Sequence, residues 1–151
     1  MERNIHLWMA VLTITSIGLT ACDKNERAYK HFIDEGRWVI TELSAGTTSY
    51  TKLPKWQIYP CDNHENFCQA SWEHQNGSIT DFNWRFTNMG GDFQFYVDPL
   101  ESDTQTMAFS QCLNFSGSYD VVENKRKRFR FESYATTGYP EKLVIIQLER
   151  Q

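Results

Sequence analysis

The chain has 151 residues, 40% of them hydrophobic and 15% aromatic, with 15 Lys and Arg against 19 Asp and Glu for a net charge of −4. That length makes one domain able to bury a proper core, and the mild acidity offers no basic footprint for nucleic acid. The 10 Phe, 7 Tyr and 5 Trp weigh toward β structure, because large rings fit a pleated, half-buried surface.

Met1 to His6 is a polar start carrying Arg3, and Leu7 to Leu19 is an almost uncharged apolar run. The run is too short for a permanent bilayer helix, which needs roughly 20 apolar residues. It closes on Leu19-Thr20-Ala21-Cys22, which resembles a bacterial lipobox. The resemblance implies a lipoprotein signal peptide over residues 1–21 and lipidation of Cys22 after cleavage. Two or three acyl chains there would hold the domain at a membrane, since one chain binds only marginally. The expected location is the Gram-negative cell envelope. The outer membrane is favoured although Asp23 follows the cysteine; which face it occupies stays open.

Asp23–Arg27 is charged and reads as a linker, and Ala28–Glu35 sets Ala28, Phe32 and Ile33 at helical spacing with Gly36 to end the turn. Residues 22–34 are thus a lipidated linker and short helix, and 35–151 the folded domain. The pattern then changes to period two. Trp38 and Ile40 alternate with Val39 and Thr41, and Trp56 shares a face with Ile58. Phe82, Trp84 and Phe86 form one apolar row, Asn88–Gly91 a tight turn, and Phe93, Phe95 and Val97 the next row. Phe115, Gly117, Tyr119 and Val121 follow, then Phe129 and Phe131 between basic residues. Leu143 to Leu148 reads as a strand buried on both faces, and no convincing helix is expected after Ala28–Glu35. Turn chemistry falls at Gly46, Asn76-Gly77, Gly90-Gly91 and Asn124-Lys125. Short alternating strands at this spacing predict an all-β, antiparallel up-and-down barrel of eight strands, with a flat sandwich as the competitor.

Gly36-Arg37-Trp38, between the helical turn and the first strand, resembles the Gly-x-Trp signature of the lipocalin fold. The spacing of the strand Asn83–Phe86, the stretch Gly117–Val121 and the terminal Ile-Ile-x-Leu strand resembles that of the small lipocalin-like domains of bacterial lipoproteins. The resemblance implies a lipocalin-like barrel in which Trp38 closes the bottom and a basic residue after the last strand, Arg150, packs across its ring. In such a barrel Trp56, Trp84, Phe86, Phe93, Phe95, Tyr119, Phe129 and Phe131 would face inward. They would either line a site for a small apolar or amphipathic ligand or fill the interior as a solid core. The second outcome would make the domain an envelope accessory or interaction module with a protein or glycan partner.

Export places Cys61, Cys68 and Cys112 where disulfides persist. Cys61 and Cys68 flank a polar turn and read as a hairpin staple. Pairing with Cys112, or a metal site built from Cys61, His64, Cys68 and Cys112, are the rivals, the latter opposed by the oxidising compartment. No Gly-x-Ser-x-Gly elbow, His-Glu-x-x-His motif or nucleophile–base pair appears. His74 and the carboxylates Glu73, Asp81, Asp92 and Asp98 fall at strand ends and turns. No enzyme, cofactor or resident metal is expected. Lys125-Arg126-Lys127-Arg128 reads as a solvated hairpin tip, with anionic headgroups or polyanionic glycan as the sharper alternative.

Overall fold

The computed structural model describes residues 26–34, 37–61, 66–99 and 105–151. A helical segment, α1, occupies 26–33. Its inward face is set by helical spacing, with Ala28, Tyr29 and Phe32 buried, and Lys30 pairs with Glu26 one turn earlier at 2.7 Å. Nine strands follow: β1 Arg37–Ala45, β2 Thr48–Ser49, β3 Lys55–Ile58, β4 Cys68–Glu73, β5 Ile79–Thr87, β6 Asp92–Tyr96, β7 Gly117–Lys125, β8 Arg128–Thr136 and β9 Pro140–Arg150. A 3₁₀ turn, Asn88–Gly90, joins β5 to β6, and a helix, α2 Met107–Phe115, lies between β6 and β7.

Neighbouring strands pair antiparallel in the order β1-β3-β4-β5-β6-β7-β8-β9, and β9 pairs back onto β1 from Trp38↔Arg150 to Ala45↔Val144. The two-residue β2 pairs only with β1, so eight strands close the barrel and leave no open edge. The all-β, eight-stranded up-and-down barrel with a short preceding helix is the architecture expected above. Bulges interrupt the register in β1, β7 and β8 and supply the local coiling that closure needs. Gly117, at φ +155°, opens β7 where a Cβ would stand 2.4 Å from the Ala135 carbonyl oxygen, so a side chain there would force β7 off β8.

Period-two patterning decides which residues face in. Phe82, Trp84 and Phe86 are buried while Asn83, Arg85 and Thr87 are half-buried outside. β9 corrects the expectation of a strand buried on both faces: Val144, Ile146 and Leu148 are buried, whereas Ile145 and Gln147 lie on the outer wall. A contiguous apolar run cannot distinguish these two cases, because Ile145 covers outer surface without breaking the run. The last hairpin tip also moves. Asn124 and Lys125 belong to β7, and the turn itself is Arg126-Lys127.

The absence of a second helix is corrected by α2. Thr106 caps it, its side-chain oxygen accepting the Phe109 N–H at 3.1 Å. Ala108, Phe109, Cys112 and Phe115 form its buried face, so Phe115 ends a helix rather than starting a strand. Ser110, Gln111 and Asn114 dilute the apolar signal of a segment this short, and a nine-residue helix draws its stability from packing rather than propensity.

The two helices cap opposite ends. At one end β1 begins, β9 finishes and the β7–β8 and β5–β6 turns lie. Here α1 is fixed by His31 Nδ1 to Asn124 Oδ1 at 3.2 Å and by the Tyr29 hydroxyl, which donates to the Cys61 carbonyl. At the other end α2 is held by Trp72 Nε1, which donates to Gln111 Oε1 at 3.0 Å, and by the Ala108 N–H to Ser78 Oγ at 3.1 Å. Gly138 lets the β8–β9 turn close on α2, since a Cβ there would meet Asn114 at 2.6–2.8 Å.

Candidate ligand site in the barrel interior

Strand alternation sends the large rings of every wall toward the barrel axis. Among the described residues the largest fully buried side chains are four Trp, Tyr119 and seven Phe. The eight positions expected to face inward (Trp56, Trp84, Phe86, Phe93, Phe95, Tyr119, Phe129 and Phe131) are all at most 4% exposed. They pack on one another rather than around an open volume: Phe93 stacks on Phe131 at 4.4 Å between ring centroids, Phe95 on Tyr119 at 5.7 Å and Trp56 against Phe95 at 5.6 Å. These are ordinary offset and edge-to-face spacings. In this state the interior is a filled core.

The ring at its centre does not come from the wall. Phe32, on α1, is 0% exposed. It meets Trp84 at 4.8 Å, Phe129 at 5.3 Å, Phe93 at 5.4 Å, Phe86 at 5.5 Å and Trp38 at 5.6 Å. Trp56 and Phe131 stand slightly farther, at 6.4 and 6.3 Å. Residues of five strands thus surround a side chain delivered by a separate helix. The sequence places Phe32 on the apolar stripe of a short helix but does not show that the stripe enters a barrel. Its position one turn after Ala28 and just ahead of the first strand is the only local signal.

Four interior indoles differ in how their N–H groups are satisfied. Trp38 donates to the Phe32 carbonyl at 2.8 Å, Trp72 to Gln111 and Trp84 to the Gln69 carbonyl at 3.2 Å. Trp56 Nε1 is buried with no hydrogen-bond partner, as is Thr80 Oγ1. The two residues flank Trp72 in one cross-strand row, Trp56↔Trp72↔Thr80. A buried donor left unmatched costs about 1–3 kcal/mol, so this row is one polar point among the buried rings; Thr136 Oγ1 is likewise buried without a hydrogen-bond partner.

At the α1 end Trp38 is 1% exposed, and the Arg150 guanidinium carbon lies 5.8 Å from its ring centroid. Arg150, its side chain 5% exposed, also reaches Asp34 at 3.7 Å. Cys61 and Cys68 form a disulfide with Cα atoms 5.7 Å apart. That pairing leaves Cys112 in α2 as a buried free thiol, pushed well above its ordinary range by desolvation. The three thiols therefore sit apart, two joined near α1 and one under α2. The Tyr119 hydroxyl is also pushed up by burial and donates to the Phe115 carbonyl. Cys22, Gly36 and His64 lie outside the described residues.

The polar positions singled out in the sequence serve the walls. His74 folds over the β4–β5 turn, Nδ1 lying 2.9 Å from Asn76 Oδ1, and Asp81 accepts from the Tyr59 hydroxyl at 3.4 Å. Asp92 pairs across strands with Asp120, and Asp120 with Glu132, beside an outer groove of about 310 Å³ that Tyr134 also borders. Glu132 is neutralised by Arg130 at 2.9 Å, and Arg130 reaches Glu42 at 2.7 Å.

These features define a closed antiparallel barrel capped by a helix at each end, the fold of lipocalin-like proteins. Among solved structures, the chain is similar to a lipocalin-like protein from Bacteroides uniformis ATCC 8492, with a TM-score of 0.51 at 11% identity over 77% of this chain and 96% of that one. Japanin from Rhipicephalus appendiculatus, in a structure bound to cholesterol, aligns with a TM-score of 0.48 at 7% identity over 78% of this chain and 76% of that one. No family model matches the sequence, and no curated protein does.

Proposed function

We propose that the protein is a non-enzymatic binding protein, tethered through lipidated Cys22 to the Gram-negative envelope with the outer membrane favoured. On this reading the barrel interior accepts a small apolar or amphipathic ligand in place of Phe32. The observation that carries the reading is the origin of that ring: it comes from a helix outside the sheet and fills the centre that the strand side chains surround. An occupant supplied by α1 rather than by a strand can be exchanged without opening the sheet. Trp56 Nε1 supports an amphipathic ligand, because it offers a hydrogen bond to a single acceptor at low dielectric. The lipobox supports the tether and the location. The absence of a nucleophile–base pair in the sequence supports a role without catalysis.

A second reading keeps the interior permanently solid and makes the domain an accessory module that meets a protein or glycan partner through its outer wall. The dense ring packing favours it. Native mass spectrometry of the protein isolated from the envelope of its own cells separates the two. A stoichiometric small molecule released with unfolding is the expected result. A ligand-free mass equal to that of the acylated chain, in protein drawn from several growth conditions, would favour the solid module.

A further inference from the structure

We propose that the α1 end of the barrel is a docking face for anionic phospholipid headgroups, presented by the β7–β8 hairpin tip. The tip carries four successive cations, Lys125 to Arg128. Two are engaged within the wall: Lys125 reaches Glu123 at 2.5 Å, and Arg128 reaches Glu123 at 3.1 Å and Glu149 at 4.0 Å. These contacts hold the Glu123 carboxyl below its ordinary range, chiefly through the hydrogen bond from Lys125. Arg126 and Lys127, at the turn itself, are exposed and join none of the ion pairs among the described residues. Together with Arg150 and Gln151 they border a groove of about 390 Å³, within the size range of small-molecule sites.

The charge is placed against the trend of the chain. The net charge is −4, yet four successive cations stand at this one hairpin tip at one end of the barrel, where Glu123 and Glu149 pair with only Lys125 and Arg128. That end is the one α1 covers, as the His31–Asn124 contact and the Arg150 N–H to the Lys127 carbonyl at 3.0 Å show. On the anchored reading proposed above, at most about 14 Å of chain separates Cys22 from residue 26, so the tether would bring this end to the bilayer surface. The charge distribution does not depend on the tether. Each basic residue near an anionic surface multiplies partitioning by about fivefold, so Arg126 and Lys127 together supply about thirtyfold at low salt.

Lysine acetylation footprinting on vesicles tests the orientation. The full chain, its acylation checked by intact mass, is placed on phosphatidylcholine vesicles with or without one-quarter phosphatidylglycerol. Lys52 and Lys142, exposed at the α2 end, serve as internal references. Expected is a fivefold or greater slowing at Lys127 on the anionic vesicles only, reversed by 0.5 M salt and lost in Arg126→Glu. Equal Lys127 reactivity on both vesicles, or equal slowing of Lys52 and Lys142, overturns the proposal. If the mass shows no acyl group, the tether fails by itself. The docking face is then judged by sedimentation with the same vesicles: binding should depend on phosphatidylglycerol and fall about thirtyfold in the Arg126→Gln, Lys127→Gln double variant, and phosphatidylglycerol-independent binding overturns it.

Discussion

Phe32→Ala is the substitution that most directly tests how the interior is filled. A buried Phe hides about 150–250 Å², which at about 25 cal/mol per Å² corresponds to roughly 4–6 kcal/mol of transfer free energy. Measured Phe→Ala changes in cores cost about 3–5 kcal/mol once partial collapse is allowed. Phe32 is 0% exposed and touches rings of five strands, so the site has little freedom to collapse and a loss of about 4 kcal/mol is expected. The backbone contact from Trp38 Nε1 to the Phe32 carbonyl survives the substitution and keeps α1 near its seat. Urea unfolding followed by tryptophan fluorescence measures the loss, and near-UV circular dichroism checks that the aromatic core stays ordered. An apolar cavity of about 150 Å³ binds benzene. Benzene should therefore stabilise the variant by an amount that grows with the logarithm of its concentration once the cavity is saturated and leave the parent chain unchanged. A loss below about 1 kcal/mol, or equal benzene stabilisation of both proteins, would show that Phe32 does not occupy the interior.

Four further outcomes are expected. Reducing the Cys61–Cys68 disulfide should lower stability by about 2.5 kcal/mol on the loop-entropy estimate for a short ring, read from urea midpoints with and without reductant. Cys112 should resist iodoacetamide in the folded protein and show no acceleration between pH 7 and 9, because burial pushes the thiol well above its ordinary range and keeps it protonated there; labelling should appear only with urea. Trp38→Ala should cost about 3–5 kcal/mol and Arg150→Ala only about 0.5–2 in the same assay; equal losses would show that the Arg150 contact, not burial of the ring, dominates. Cys22→Ser should remove acylation and shift the protein to the aqueous phase of a detergent extraction, and retention in an alkaline-washed membrane pellet would refute the tether.

The barrel was legible because most of its walls alternate. A row such as Phe82, Trp84 and Phe86 against Asn83, Arg85 and Thr87 has one physical solution, a strand with one dry face, and a succession of such rows leaves few ways to hide the dry side. The Cys61–Cys68 staple was legible for a similar reason, since two cysteines flanking a short polar turn narrow the pairings. What escaped were features that depend on distant parts of the chain. Nothing local distinguishes Ile145 outside from Ile146 inside when both are apolar. α2 is stabilised by contacts with Ser78, Trp72, Tyr50 and Tyr139, more than 20 residues away in sequence. The choice between a ligand-lined and a filled interior turned on Phe32, a residue the alternation of the walls could not include because it belongs to a helix.

That difference in origin also decides which end of the barrel can open. α2 continues at its C-terminus through Ser116 directly into β7, and the Thr137 and Gly138 N–H groups bind the Ser116 and Asn114 carbonyls at 2.9 Å. Lifting it would strain the β7–β8 pairing and expose Phe115 together with the faces of Trp72 and Tyr139. Among the described residues α1 precedes β1 and belongs to no strand. Its ties include the Trp38–Phe32 hydrogen bond, the Tyr29–Cys61 and His31–Asn124 contacts and the Asp34–Arg150 pair, none of which is part of the sheet. Withdrawing α1 breaks no strand pairing. An occupant that enters the interior there competes with the buried Ala28, Tyr29 and Phe32 side chains and the polar contacts of α1, whereas entry under α2 competes with part of the sheet. The least costly path to the ring cluster runs through the α1 end.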